Sequence, residues 1–202
     1  MVKYAMFGGS FDPIHLGHLH LIHNVYEKTG YKKIILVPLF ANKLKQGYKT
    51  TDSMDRLNMI NLALDDYREL YPNDDDLEII IETCEIERGG YSYTLDTVNY
   101  IYENYNIDNK LGLLIGDDLL SSLTKWYKFD ILKESVKFVI CNRNNDDLHV
   151  DNININYEIV NNIVFEDASS TIRAFVKENK DIASLVSKGV LNYVKSHELY
   201  RS

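Results

Sequence analysis

The run VKYAMFGGSFDPIHLGHLHL, Val2 to Leu21, constrains the fold more than any other stretch of this chain. An apolar segment long enough for one buried strand (Val2, Tyr4, Ala5, Met6, Phe7) stops at Gly8 and Gly9, and a helical apolar period begins near Leu16. Strand, glycine turn and helix start, in that order, put the turn at the carboxyl end of the first strand of an α/β sheet. There Gly8 and Gly9 let main-chain N–H groups come close to a ligand, and the helix N-terminus favours an anion, with phosphate the natural guest. The turn also holds Ser10, Asp12, Pro13, His15 and His18. With a helix beginning near His15, the two histidines share a face of its first turn. Imidazoles placed over a phosphate can donate hydrogen bonds to its oxygens and stabilise charge that builds up during transfer. Gly17, between them, keeps the approach open.

Plainer readings exist for each piece. Paired glycines after a strand are often only a turn, and two histidines at this spacing are half of a zinc site. The zinc reading lacks partners, because no HExxH occurs and Cys84 and Cys141 stand alone, so no metal ligands are assigned. Neither GxGxxG nor GxxxxGK[ST] is present, which removes the dinucleotide fingerprint and the P-loop. At 202 residues and 45% hydrophobic, the chain can bury a sizeable core and is expected to form a single domain over 1–202. A net charge of -8 argues against nucleic acid as a partner, so any phosphate site must be built from named side chains. No apolar run reaches membrane-spanning length and no charged-then-apolar leader precedes the first strand. The expectation is a cytoplasmic protein with no membrane partner and two small reduced core cysteines.

Taken in order, the chain reads as alternating helix and strand. Leu16 to Tyr26 carries a helical stripe with Gly30 beyond its end, and His20 and His23 fall off the His15/His18 face as surface or satisfied core histidines. Lys33 to Pro38 is a buried second strand, which argues for a parallel sheet with right-handed crossovers. The loop after it carries Lys43, Lys45 and Lys49 and leaves the sheet at the edge of the glycine turn, where it can overhang phosphates. Asp52 can cap a helix over Ser53 to Leu70 with Met54, Leu57, Ile60 and Leu64 inward and Arg56 at the surface or in an ion pair. Leu77 to Ile86 is a third strand, and Ser92 or Thr94 can cap a helix through Tyr105. Leu111 to Ile115 is a fourth strand, after which Asp117 can cap the next segment. Ser135 to Cys141 is a fifth strand, and Ile163 to Phe165 a short last one. In DASSTIR, Ser169 and Ser170 can cap a helix whose free N–H groups form a second anion site with Arg173. Two helical stretches, Ile182 to Ser187 and Gly189 to Lys195, close the chain.

The run GGSFDPIHLGH closely resembles the signature of nucleotidyltransferases that carry an HxGH motif, and five later stretches resemble bacterial nicotinate-mononucleotide adenylyltransferases in the family's order. These are the lysine loop, where Lys45 looks like the basic residue of a PPHK-like motif while Leu44 stands at its histidine; EIERGGYSYTLDT, Glu85 to Thr97, similar to ExxRxGxSYTxDT with one extra residue between Gly89 and Ser92; Gly116 and Asp118 of a GxD; ASSTIR, similar to SSTxIR with Ala168 at the first serine; and VLNYVKSHELY at the end. The resemblance implies a Rossmann-like, doubly wound and mainly parallel sheet with helices on both faces. It implies transfer of the adenylyl group of ATP to nicotinate mononucleotide, with magnesium on the triphosphate. On that pattern His15, His18, Lys45 and Arg173 act on the phosphates. Gly8, Gly9, Ser10, Phe11, Gly116, Asp118, Ser169 and Ser170 complete the ATP site. Thr94, the lone tryptophan Trp126 and the main chain of Tyr127 receive the pyridine ring and its carboxylate, with Lys45 on the same substrate. The competing readings are a sister enzyme acting on nicotinamide mononucleotide or phosphopantetheine, and a non-catalytic nucleotide-binding module. Assembly into a homo-oligomer is left open.

Overall fold

The structure, a computed structural model, describes residues 2–40, 50–142, 148, 150, 153–161 and 169–201. Its elements are β1 (Lys3–Gly9), α1 (Leu16–Thr29), β2 (Tyr31–Pro38), α2 (Ser53–Leu70), β3 (Glu78–Ile81), α3 (Cys84–Arg88), α4 (Thr94–Asn104), β4 (Leu111–Gly116), 3-10 turns over Asp117–Lys125, α5 (Phe129–Ser135), β5 (Val136–Asn142), β6 (Tyr157–Asn161), α6 (Ser169–Lys177) and α7 (Lys188–Ser196). Among the described residues the strands form one sheet in the order β3-β2-β1-β4-β5-β6, and every neighbouring pair is parallel. The chain therefore winds outward from the centre in both directions, and β1 and β4 meet where the direction of winding switches. In such sheets the crevice at the carboxyl ends of the switch-point strands is where ligands bind. The tips of β1 and β4 are Gly9 and Gly116.

Strand alternation sends side chains to two apolar layers, as a sheet covered on both faces requires. Ala5, Ile34, Leu36, Leu114, Val139 and Val160 pack with Leu19, Ile22 and Val25 of α1, Met59 and Ile60 of α2 and Val190 and Val194 of α7. Met6, Ile35, Val37, Leu113, Phe138 and Ile140 pack on the other face with Leu95, Val98 and Ile101 of α4 and Leu132 of α5. The doubly wound, parallel α/β architecture expected from the sequence is the one observed.

Several boundaries differ for physical reasons. The strand expected over Leu77 to Ile86 ends at Ile81; Cys84–Arg88 turns helical and closes on Gly89, whose N–H reaches the Glu85 and Ile86 carbonyls. The helix expected over Ile182 to Ser187 is a set of turns, while α7 lies where it was expected. Asp52 caps α2 as expected, its carboxylate accepting from the Met54 N–H at 2.8 Å, yet Met54 faces solvent and the fully buried polar side chain of α2 is Arg56. Neither Ser92 nor Thr94 caps α4; Tyr93 occupies the cap position and Ser92 accepts from Arg88 instead. Asp117 likewise is not a cap, since Gly116 holds that position. β6 spans Tyr157–Asn161 within the Asn-rich stretch, and the strand expected over Ile163 to Phe165 lies outside the described residues.

Candidate active site

Between Gly9 and Leu16 the backbone belongs to neither β1 nor α1, so its buried carbonyls need partners from elsewhere. The described partners come from the segment after β2, from α2 and from α6. The Gly9 carbonyl accepts from the Leu39 N–H at 3.0 Å. The Ser10 carbonyl accepts from Arg56 Nη1 at 2.8 Å, the Asp12 carbonyl from Arg173 Nη1 at 2.6 Å, and the Pro13 carbonyl from Ser169 Oγ at 3.0 Å. The Asp12 carboxylate, 0% exposed, accepts from the Thr51 N–H at 3.1 Å and from Tyr200 Oη at 2.7 Å. Arg56, also 0% exposed, directs its remaining edges at the Thr51 carbonyl at 3.1 Å and Ser53 Oγ at 3.1 Å. A guanidinium offers donors in a rigid planar fork, which is what a binding site made of two carbonyls and a hydroxyl needs. The surface reading of Arg56 is thus corrected: it is a buried clamp on the glycine turn.

Phe11 has φ +47° and its ring, 1% exposed, folds back under the turn. A Cβ on Gly9 would lie 3.0 Å from Phe11 Cζ, so any larger residue there presses on that ring. Phe11 therefore meets any ligand through its main chain alone. His15 is the N-cap residue of α1 and His18 its third residue, with ring centroids 3.7 Å apart. Phe11 stands edge-on to His18 at 5.1 Å and Phe7 tilts toward it at 5.8 Å. The His15 N–H donates to His18 Nδ1 at 3.2 Å. A nitrogen that accepts a hydrogen bond carries no proton, so this contact suits the tautomer of the ring that carries its proton on Nε2. His18 is therefore a donor through Nε2, suited to an anion held at the start of α1.

α6 follows the last strand, and its first residue, Ser169, and its fifth, Arg173, both bind the turn after β1. The second anion device expected from the sequence is thereby brought to the first. Ser169 uses its hydroxyl as a donor to Pro13 and not as the expected cap, and Ser170 is exposed. Gly116 and Asp118 lie at the tip of β4, beside β1 in the sheet, and the Asp117 carboxylate accepts from the Asp118 N–H at 2.9 Å. Lys45, with Lys43, Leu44 and Lys49, lies outside the described residues.

A second group of expected residues gathers on the other face of the sheet. Tyr93 and Tyr127 stack with centroids 4.2 Å apart at 26°, which joins the start of α4, where half-buried Thr94 is the first residue, to half-buried Trp126. Gly89 and Gly90 both have positive φ, 68° and 66°, which glycine adopts without strain, and the Arg88 Nη1 to Ser92 Oγ bond at 2.8 Å spans them. Behind the turn, Thr97 Oγ1 of α4 donates to the buried Glu85 carboxylate of α3 at 2.6 Å. Burial pushes the Glu85 carboxyl above the usual carboxylate range, against the opposing pull of Thr97 and Arg88.

Sequence reasoning misplaced Arg56 and passed over Glu85 and Tyr200; the one signal for them was their place inside stretches that resemble a family. His20 and His23 make their contacts away from the site, His20 Nδ1 with the Tyr71 hydroxyl at 3.1 Å and His23 Nδ1 with Asp74 at 2.9 Å. Among the described residues no three His, Cys, Asp or Glu side chains converge as metal ligands. The Asp12 carboxylate, with both oxygens engaged by donors, is unsuited to a cation.

The sequence profile of the cytidylyltransferase-like family matches residues 6–190. A protein of Treponema pallidum subsp. pallidum named "Probable nicotinate-nucleotide adenylyltransferase" is 32% identical over 213 residues, covering 100% of both chains, and its counterpart in the Nichols strain of Treponema pallidum matches equally. Among solved structures, Plasmodium falciparum nicotinic acid mononucleotide adenylyltransferase complexed with NaAD superposes with a TM-score of 0.77 at 20% identity, covering 99% of this chain and 98% of that one. The same enzyme complexed with APC gives 0.74 at 20% identity over 99% and 98%. These two share the fold.

The environment of Glu85 carries a pH signature. A carboxyl raised in the folded state favours folding while protonated, so its contribution is present below the unfolded value, about 4.3, and is lost as pH rises through the higher folded value. Glu85→Gln keeps a carbonyl acceptor for Thr97 and carries no charge. It should be more stable than the parent in urea denaturation at pH 7, with the difference closing as pH falls toward that unfolded value. A variant less stable at pH 7, or a difference independent of pH, would contradict this.

Proposed function

The chain belongs to the cytidylyltransferase-like family and stands among its nicotinate-nucleotide adenylyltransferases, and from that premise we propose how it joins ATP to nicotinate mononucleotide, giving nicotinate adenine dinucleotide and pyrophosphate in NAD biosynthesis. The observation that carries the reading is the convergence of two phosphate devices on one turn: the start of α1 with His15 and His18, and the start of α6 with Ser169 and Arg173, tied together through the Asp12 and Pro13 carbonyls. They meet at the sheet's switch point, where the nucleotide of such folds is bound.

In this reading the triphosphate lies over Gly8, Gly9, Ser10 and the Phe11 main chain, with its adenylate side toward Gly116 and Asp118 and its charge met by Ser169, Ser170 and Arg173. Lys45 is assigned from sequence to the same phosphates and to the acceptor. The pyridine nucleotide takes the seat bounded by Thr94, Trp126 and Tyr127; a flat aromatic face suits its ring, and an N–H or hydroxyl at the start of α4 suits its carboxylate. A phosphate oxygen of the mononucleotide attacks the α-phosphorus in line. The new O–P bond forms as the bond from that phosphorus to the bridging oxygen of pyrophosphate breaks, and the electron pair leaves with pyrophosphate. No side chain becomes covalently attached. His18 donates through Nε2 to oxygens that gain charge in the transition state, and the clamped turn holds it there without reorganisation. Magnesium bound to the triphosphate supplies further charge neutralisation.

No helix among the described residues is long and apolar enough to cross a membrane. We place the enzyme in the cytoplasm, consistent with two buried free thiols, and assign it no nucleic acid partner.

Pyrophosphate release with ATP and magnesium tests the reading when nicotinate mononucleotide, nicotinamide mononucleotide and phosphopantetheine are supplied separately. Release is expected with the first. Release with phosphopantetheine alone would overturn the acceptor, and none with any of the three would favour a non-catalytic binding module. His18→Ala should lower kcat by roughly 10² to 10⁴-fold with an unchanged circular dichroism spectrum; unaltered turnover would remove the assigned role of His18.

A further inference from the structure

The end of the chain reaches the glycine turn. Tyr200 lies far from Asp12 in sequence, yet its hydroxyl donates to Asp12 Oδ1 at 2.7 Å, and that carboxylate is 0% exposed. Reaching it takes two unfavourable backbone conformations, φ +52° at Glu198 and φ +67° at Tyr200, neither of them glycine. Strain at a chain terminus persists only where contacts over-determine it. The Leu199 N–H is bound to the Val194 carbonyl at 3.1 Å, and the rings of Tyr193 and His197 stack at 3.9 Å, so the segment is anchored to α7 before it turns inward. Both oxygens of Asp12 are then engaged by donors from widely separated parts of the chain, Thr51 on one and Tyr200 on the other.

We propose that Tyr200 is a positioning residue for adenylyl transfer, its hydroxyl fixing the Asp12 carboxylate and through it the turn that presents His15 and His18. This rests on the catalytic reading of that turn. Asp12 sits three residues before His15 and four before Leu16, whose N–H bonds to the Leu185 carbonyl at 2.9 Å, so a loosened carboxylate moves the start of α1. A charge-assisted hydrogen bond to a buried carboxylate is among the stronger ones available. Removing its donor leaves buried charge with one partner fewer, which favours rearrangement of the turn over a silent loss. Tyr200 touches neither phosphate nor pyridine in this scheme; it acts through Asp12.

The test compares Tyr200→Phe with Tyr193→Phe. Tyr193 Oη donates to the Asp55 carboxylate at 2.9 Å and accepts from Asn58, so its variant removes a similar bond from the same terminal segment without touching the turn. Y200F should lower kcat about tenfold with little change in KM for nicotinate mononucleotide, whereas Y193F should leave kcat within about twofold at a comparable change in Tm. Amide exchange of His15 and Leu16, read by NMR on the free protein, is expected to quicken in Y200F and not in Y193F, a result that does not depend on turnover. Equal effects of the two variants on kcat, or a fall in kcat with unchanged His15 and Leu16 exchange, would overturn the proposal. A parent protein without turnover whose exchange still responds would leave the positioning contact standing and remove the catalytic reading instead.

Discussion

Everything at the candidate site depends on satisfying the carbonyls of one buried turn. A strand-to-helix connection that dips into a protein between Ser10 and Pro13 exposes main-chain oxygens to an apolar interior, and each uncompensated oxygen costs about 1–3 kcal/mol. This chain meets that demand with Arg56, Arg173 and Ser169, one per carbonyl, and fixes the intervening carboxylate with Thr51 and Tyr200. The same bonds therefore have two effects. They offset the cost of burying the turn, and they bring α2, α6 and the chain terminus to the point where the phosphates are to lie.

Preorganisation follows from those bonds. The turn is held by groups from behind it, and within it the His15 N–H is aimed at His18 Nδ1, which leaves His18 a donor through Nε2. In an overall acidic protein the local attraction for a triphosphate then rests on a helix N-terminus, oriented N–H groups and few cations in place of a broad positive surface. On the other face of the sheet the Tyr93–Tyr127 stack and the Glu85–Thr97 bond hold α4 against the segment that carries Trp126. The two halves of the site thus rest on separate cores that share only the sheet.

The sequence made much of this legible and some of it not. Glycines after an apolar strand, the His15/His18 spacing and the Asp52 cap are local signals, and they located β1, α1 and α2 to within a few residues. The strand over Leu77 to Ile86 is read too long because β-branched residues continue past Ile81, while the turn into α3 is made by the Glu82 carboxylate, which accepts from the Cys84 N–H, and by burial of Cys84 and Glu85. Arg56 was read as a surface residue because charge on a helix is usually solvated; its burial depends on a carbonyl 46 positions before it. Tyr200 and Asp12 are 188 positions apart. Contacts of that range leave no periodic trace. The order of the strands was also not legible, and it is that order, β1 beside β4, that brings Gly9 and Gly116 to one crevice.

The most direct test of the account is the protonation of the His18 ring, read from the nitrogen-15 shifts of its imidazole in the free protein at a pH of about 7.5, above the ordinary histidine value. A turn clamped as described holds the proton on Nε2 and leaves Nδ1 bare, before any nucleotide is added. A ring protonated on Nδ1, or charged at that pH, would mean that the His15 N–H does not control His18, and the claim that the buried turn sets the chemistry of the site would fall.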